Sequence, residues 1–540
     1  MNRKQFIIRS FGLSAATMLG NFHTQGNGQH YPGMDYPDNS VKPSRFSHRL
    51  PKTDVNYIHT MPFVEEDPVP EYTWASDEAY EAFLDMKFGV RLHWGIYSIW
   101  QLQKESWPYL GHVPPYFDLA KRQEYNQLYK NWNPQGFDAN EWMQLFKNWG
   151  MKMFAFTSKH HEGFSMFDTQ TRVKRRVNWT APGGPAIEEC DLAYSIMETP
   201  FKRDIIRELT DAAHRHGIKI DLYFSHPDWY DADFRPYGYH PLQIPSSEEY
   251  LKAIWKPGDP ANEEFRRTRD RLAKNWVVVP DPTKEEVDRM ILRHRTQLKE
   301  LLTNYGKIDM VCLDIYWGPK VWPQLRETML ELHKIQPDVM FRARGIGNYG
   351  DYYTPEGFVP GNKENTDTPW FVIYPLGKTF SYEPTPENYK GAAWVVQNLI
   401  DSAAKGGNFM VGIGPDGNGE FAPTAISQLN EVGAWLKTNG EATYATRPRE
   451  GDIWREGDNI RFTRSKDKKT IYAFSYEWPG EKLVLTSVKP EPGSPVFLLG
   501  VQKPLKWKNT ASGIEILLGK DIREKIKPEN DLSFAFKILV

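Results

Sequence analysis

The chain predicts an α/β protein, a (β/α)8-like TIM barrel followed by a C-terminal β-sandwich. Three observations carry this. From Asp77 onward short apolar runs alternate with helical patterns, polar residues follow nearly every apolar run, and after Gly440 the pattern changes to short alternating strands with turn signals. Strand–helix alternation argues for a parallel sheet, and 540 residues suffice for a large barrel with a smaller appended domain.

In chain order, MNRKQFIIRSFGLSAATMLG has the basic start, apolar stretch and small residues of an export signal, and Arg3-Lys4-Gln5-Phe6-Ile7 is similar to a degenerate twin-arginine motif. The expected divisions are an export signal over 1–22, an arm or linker over 23–75, the barrel over 76–445 and the sandwich over 446–540. The arm is rich in Pro, Gly, Asn and His without an apolar period. Strands are expected at 88–94, 151–157, 218–224, 308–314, 339–343 and 408–413, with 371–375 as a candidate seventh. Helical patterns such as KRDIIRELTDAAHRHG and EVDRMILRHRTQLKELLTNYG separate them. The stretch from Pro227 to about Val287 is long for a βα loop and reads as a lid or subsite wall. Six short strands are expected after Gly440, in DNIRFTRS, KKTIYAFSY, EKLVLTSV, SPVFLLG, GIEILLG and LSFAFKIL.

Composition narrows the function. Lys+Arg 67 against Asp+Glu 69 gives a net charge of −2, which provides no field to hold nucleic acid or an anionic membrane. Beyond the export signal, no other segment is apolar for long enough to span a bilayer. The chain is 14% aromatic, which fits either a large core or platforms for sugar rings. Two cysteines, Cys190 and Cys312, exclude a disulfide scaffold, and Cys312 inside an apolar strand reads as a buried thiol.

In such a barrel the chemistry lies in polar residues at strand C-termini. These are His93 in RLHWG, His160 and His161 in TSKHHEGF, Tyr223 and His226 in LYFSHPDW, Asp314 in VCLDIYW and Arg344 in FRARG, followed by Glu356 in GDYYTPE. Two carboxylates, several neutral donors and many aromatics describe a glycosidase better than a metal site. Asp314 ends an apolar run, so its charge would need hydrogen bonds or cations; a helix cap is the alternative. Glu356 is weaker, since in a Thr-Pro-Glu turn an exposed loop acid is the default reading. Adjacent residues on a strand face opposite sides, so one of His160 and His161 must leave the strand direction. That geometry disfavours a metal hydrolase, which remains an alternative beside a plain structural corner. No metal or cofactor is expected.

These residues carry a resemblance. KFGVRLHWGIYS is similar to an FG-x-x-x-HWG-x-YS block, TSKHHEGF to TKHHDGF, LYFSHPDW to YYS…EW, and GGNFMVGIGPDGNGEF to GGN-LLLN-x-GP-x-x-x-G. Over about residues 77–445 the chain resembles the α-L-fucosidases of glycoside hydrolase family 29. The resemblance implies an exo-acting retaining glycosidase whose partner is an oligosaccharide or polysaccharide; the export signal, if cut, places it in the periplasm or outside the cell. His93, Trp94, His160 and His161 would bind the sugar, with Tyr223 near the ring. Asp314 would be the nucleophile, and Arg344 and Glu356, twelve residues apart as in the family, would be the flanking Arg and the acid/base. Glu105 and Trp107 in KESWPYLG match a loop on the leaving-group side. A catalytically weak sugar-binding relative is the other class of reading.

Departures bear on the substrate. Arg91 stands where fucosidases commonly carry an aromatic against the C6 methyl. Read as a contact to a C6 hydroxyl, it implies α-L-galactose instead of α-L-fucose, unless it turns away and pairs elsewhere in the barrel. Phe380 in KTFSY matches another apolar contact to that methyl. Cys312 replaces a frequent Trp, Glu162 an Asp and Gly412 an Asn, and Trp370-Phe371 replaces Trp-Glu, which removes a carboxylate some members are thought to use as the acid.

Overall fold

All seven apolar runs, 371–375 included, form strands of one parallel sheet. The computed structural model describes residues 50–51, 60–111, 113–115, 117–235, 237–242, 282–355, 368–449, 453–526 and 531–540. The export segment, much of the arm, most of the 227–287 insertion and Glu356 lie outside the described residues.

In chain order the elements are α1 (Asp77–Met86), β1 (Phe88–Leu92), α2 (Leu119–Tyr125), α3 (Ala139–Asn148), β2 (Met153–Lys159), β3 (Val173–Asn178), β4 (Ala186–Leu192), α4 (Ile205–His216), β5 (Lys219–Ser225), α5 (Lys284–Asn304), β6 (Met310–Asp314), α6 (Trp322–Ile335), β7 (Met340–Phe341), β8 (Phe371–Pro375), α7 (Ala392–Ala404), β9 (Asn408–Ile413) and α8 (Pro423–Asn439). The sheet order is β7-β6-β5-β2-β1-β9-β8. Between β7 and β8 the gap is spanned by single parallel bridges, Arg342 to Tyr352 and Tyr353 to Trp370, so residues 352–353 take the eighth place. Asp351 fixes this stave: its carboxylate accepts from Phe341 N at 2.7 Å, Ala75 N at 3.0 Å and Tyr80 Oη at 2.8 Å. GDYYTPE has no apolar run to mark it as a strand, which is why the pattern did not show it.

The barrel interior is filled from below. Met153, Met310, Met340 and Phe371, each the first residue of its strand, meet Tyr80, Phe83 and Met86 of α1, which plugs the N-terminal end. Phe371 stacks on Phe83 with ring centroids 5.9 Å apart, so position 371 lies at the end opposite Asp314. A carboxylate there could not reach a substrate at the C-terminal end, and the comparison of Trp370-Phe371 with a catalytic Trp-Glu does not hold. Residues 60–75 of the arm run against α6 and the eighth stave, with Trp322 Nε1 donating to Glu65 Oε2 at 2.7 Å and Val69 N to Tyr349 Oη at 3.0 Å.

The antiparallel β3–β4 hairpin, absent from the sequence reading, is inserted after β2. Its basic side chains have partners, Lys174 with Asp191 at 2.8 Å, Arg175 with Asp233 at 2.5 Å and Arg176 with Glu188 at 2.8 Å. The six strands expected after Gly440 are present, joined by short strands at Arg455–Glu456 and Trp507–Asn509, in a five-stranded and a three-stranded antiparallel sheet. Phe462, Phe536 and Ile538 of one sheet share a core with Leu483, Leu485 and Ile516 of the other, which makes a sandwich. It seats on the barrel through Arg461 Nε to Asp401 at 2.8 Å and Trp435 Nε1 to Ser533 O at 2.9 Å.

Gly433 in α8 sets the spacing of this shell, since a Cβ there would overlap the carbonyl of Asn148. In an exposed helix Gly→Ala stabilises by about 1 kcal/mol. Here Gly433→Ala should instead lower stability by about 1–2 kcal/mol, read as a fall in the thermal midpoint.

Candidate active site

Asp314 closes β6 at the C-terminal end of the barrel and is 8% exposed. Its Oδ1 accepts from Arg344 Nη1 at 2.6 Å and from the backbone N–H of Ile315 at 3.0 Å, and its Oδ2 accepts from Tyr223 Oη at 2.6 Å. Arg342 Nη1 stands 3.6 Å from Oδ1 and His161 Nε2 3.8 Å from Oδ2. Burial works to raise the Asp314 pKa, but Arg344, Arg342, His161 and the Tyr223 hydrogen bond outweigh it and hold the carboxyl well below its usual range. Ile315, which follows, is at φ 64, a conformation a β-branched residue rarely adopts. Backbone strain of this kind collects where a site imposes its geometry on the chain.

The two histidines do not diverge. The β2–β5 register slips between Thr157 and Lys159, the strand ends at Lys159, and both imidazoles stand beyond it with ring centroids 4.2 Å apart. His160 Nδ1 is 2.6 Å from Ser106 Oγ, and its ring stacks on Tyr223 at 5.5 Å. His161 Nδ1 is 2.6 Å from Ser225 Oγ. Burial first, then His160, lowers the His161 pKa well below its ordinary value, so the imidazole is neutral at physiological pH. His93, just past β1, is lowered likewise by burial and by Arg91. Its Nδ1 is buried with no hydrogen-bond partner among the described residues.

Phe380 lies over His93, with centroids 5.2 Å apart. A side chain at Gly412 would press on that ring, a Cβ standing 2.5 Å from Phe380 Cδ1, so the glycine at this departure from the family pattern makes room for Phe380. Glu105 is buried, and its Oε1 accepts from Ser381 N at 3.0 Å. Burial pushes its carboxyl up to about 7 against the opposing pull of His160 and Ser381. Trp107 meets His161 edge-on at 4.9 Å. Arg91 is 2% exposed and lies deeper than His93, with Nη1 on Cys312 Sγ at 3.1 Å and the guanidinium 4.6 Å from the Tyr223 ring centroid. Trp94 is not brought to the cluster. It is fully buried in the outer core against Trp132, Phe137 and Trp142, with Nε1 donating to Asp416 O at 2.7 Å.

The sequence model described as "Alpha-L-fucosidase" matches residues 63–441, and that described as "Alpha-L-fucosidase C-terminal domain" matches 455–538. The chain belongs to the α-L-fucosidase family. It is 27% identical to plasma α-L-fucosidase of Pongo abelii over 462 residues, 81% of this chain and 85% of that one. It is 25% identical to tissue α-L-fucosidase of Homo sapiens over 470 residues, 84% and 85% of the two chains. Among solved structures, α-L-fucosidase isoenzyme 1 from Paenibacillus thiaminolyticus superposes with a TM-score of 0.66 at 23% identity, covering 86% of this chain and 99% of that one. The Thermotoga maritima α-fucosidase in complex with fucose gives 0.62 at 21% identity, covering 87% and 98%. These likenesses agree with the barrel-plus-sandwich fold, and family membership makes the protein a glycoside hydrolase.

Within this family site, sequence reasoning passed over Ser106, Ser225 and Arg342. Arg342 had a readable signal: in FRARG it precedes Arg344 by two, and alternate residues of a strand share a face. The serines had none, because a hydroxyl that fixes an imidazole is identified only by the contact.

Gly163, at φ +87, lets the KHHEG turn pass over Asp228, whose carboxylate a Cβ would overlap. Asp228 cannot yield easily, being held by the N–H groups of Tyr230 and Asp231, each at 3.0 Å, and by Arg293. Gly163→Ala should cost about 2–3 kcal/mol of stability and lower kcat/KM by displacing both histidines, measured by thermal melts and steady-state rates.

Proposed function

We propose that the protein is an exo-acting retaining glycosidase that releases terminal α-L-fucose from glycans, with Asp314 as nucleophile and Glu356 as acid/base. The observation that carries this is the Asp314 carboxylate, buried yet held ionised by Arg344 and Tyr223 at 2.6 Å each and ringed by imidazoles. In the first step an Asp314 oxygen bonds the anomeric carbon while the glycosidic C–O bond breaks and the leaving oxygen takes the acid's proton. In the second, water attacks that carbon, its proton goes to the same residue as base, and the bonding pair returns to Asp314. Neutral His93 and His161, with His160 fixed by Ser106, are suited to hydrogen-bond sugar hydroxyls without adding charge beside the oxocarbenium-like transition state. His93 Nδ1, without a hydrogen-bond partner among the described residues, is available for such a bond.

Two observations favour fucose: Phe380 offers an apolar face over His93, and the Arg91 guanidinium is engaged by Cys312 and Tyr223. The α-L-galactoside reading keeps one support, an Arg91 Nε that is buried without a partner among the described residues. Glu105 is a second candidate for the proton, since its carboxyl stays protonated up to about 7.

Hydrolysis of aryl α-L-fucoside and aryl α-L-galactoside side by side tests the reading. The fucoside should be preferred, and Asp314→Ala should retain below about a thousandth of the rate. Preference for the galactoside, reversed by Arg91→Phe, would transfer the assignment to L-galactose. Glu356→Gln should lose about 10²–10⁴ in rate on substrates with poor leaving groups, and azide should restore turnover of an activated aryl fucoside whose leaving group needs no acid, by attacking the ester without a general base. Glu105→Gln behaving that way instead would reassign the acid.

The basic, apolar and small-residue stretches of residues 3–20 support export, and among the described residues no helix is long and apolar enough to cross a membrane. We place the enzyme in the periplasm or outside the cell, where it would trim environmental or host polysaccharide. Cell fractionation should find it there, and recovery solely from cytoplasm would overturn this placement.

A further inference from the structure

Beneath the pocket lies a charged layer that the mechanism above does not use. Arg91, Cys312 and Arg342 stand two residues before His93, Asp314 and Arg344, and the two-residue period of a strand puts each on the barrel interior one level deeper. Both guanidiniums converge on one sulfur: Arg91 Nη1 donates to Cys312 Sγ at 3.1 Å and Arg342 Nη1 at 3.4 Å. The two arginines are at most 2% exposed. Cations buried this deeply carry a desolvation cost that only neighbouring negative charge offsets.

The arginines reach Asp314 by two routes. Arg342 Nη1 is 3.6 Å from Oδ1 directly. Arg91 lies 4.6 Å from the Tyr223 ring centroid, and Tyr223 donates to Oδ2. A cation over the ring draws electron density from the phenol and strengthens the donated hydrogen bond. We infer that Arg342 is a positioning residue for Asp314 and forms with Arg91 a cationic floor that keeps the carboxylate ionised and seated against Tyr223. This rests on Asp314 being the nucleophile.

The groups facing Asp314 are His93 from β1, His161 from β2, Tyr223 from β5, His226 just after β5, whose imidazole burial pushes down to about 4, and Arg342 and Arg344 after β7; β8 and β9 present Ile373, Met410 and Gly412 to the interior, which carry no charge. Asp221, the other acid of the layer, is pushed up to about 6 by burial, with Arg91 and Arg342 pulling the other way. It therefore offsets the two cations only in part at mildly acid pH. When Asp314 becomes a glycosyl ester its negative charge is lost and the floor is left less compensated. Departure of Asp314 as a carboxylate, as water bonds the anomeric carbon, restores the balance. The floor thus favours the second chemical step over the first.

The test is the pH profile of kcat/KM on an aryl α-L-fucoside for wild type, Arg342→Met, Arg342→Lys and Arg91→Met, with Asp314→Ala in parallel. Loss of a cation raises the pKa of the group that must be ionised, so the acid limb of Arg342→Met should lie about one pH unit or more above that of wild type. Arg342→Lys should return it most of the way, and Arg91→Met should move it less in the same direction. A pre-steady-state burst should also grow in Arg342→Met as the ester accumulates. A uniform rate loss with an unmoved limb, or Lys no better than Met, would mean a purely structural role and overturn the inference. If Arg342→Met does not fold, Arg342→Lys and Arg91→Met decide it by the same limb. Turnover by Asp314→Ala would sink the nucleophile assignment and this inference with it; an inactive Asp314→Ala with superimposable profiles would sink this inference alone.

Discussion

A carboxylate at the mouth of a barrel with apolar walls must be given back the stabilisation that water provided, and much of the architecture follows from how that is done for Asp314. Three strands besides its own contribute, with Tyr223 from β5, His161 from the end of β2, and Arg342 and Arg344 from beyond β7. None of these could be supplied locally. The hydrogen bonds and cations overcome the burial that would otherwise protonate the acid. The neighbouring imidazoles are fixed in turn by Ser106 and Ser225, so each member of the cluster is oriented by a contact outside it.

That requirement explains why the segments around the site are the irregular ones. The β2 register slips before the paired histidines, Ile315 takes a positive φ directly after the nucleophile candidate, and Gly163 is pressed against Asp228. Regular strands space side chains at a fixed pitch, and converging five or six groups on one carboxylate needs departures from it. Elsewhere the chain is conventional: methionines and α1 plug the closed end, amphipathic helices cover the outside, and the sandwich is pinned to α7 and α8.

Much of this was legible beforehand, and unevenly so. The seven strands of the parallel sheet were, because each is an apolar run bounded by polar residues, and so were His93, Asp314 and Arg344, which stand where such runs end; the β3–β4 hairpin, VKRRVN and AIEECDL, was not, because its strands carry charge instead of an apolar run. The eighth stave was not, since 351–355 is held by two bridges and the buried Asp351, a contact with no local signature. Trp94 adjoins His93 in sequence but packs into the outer core against Trp132, Phe137 and Trp142, contacts that no local pattern announces. Arg91 was legible as a departure from the family pattern. Its destination was not, because that depended on a sulfur 221 residues away.

Order along the chain, through hydrophobic period and the residues ending each run, determined the barrel, the sandwich, the family and the position of Asp314 at a strand end. Local pattern suffices for these because strand and helix formation are decided by nearby side chains and by which face they bury. Tertiary structure alone decided the charge of Asp314, the side-by-side setting of His160 and His161, the partners of Arg91 and the place of position 371. Each is a balance of desolvation, charge and packing among groups distant in sequence, and such a balance exists only once the barrel has brought them together.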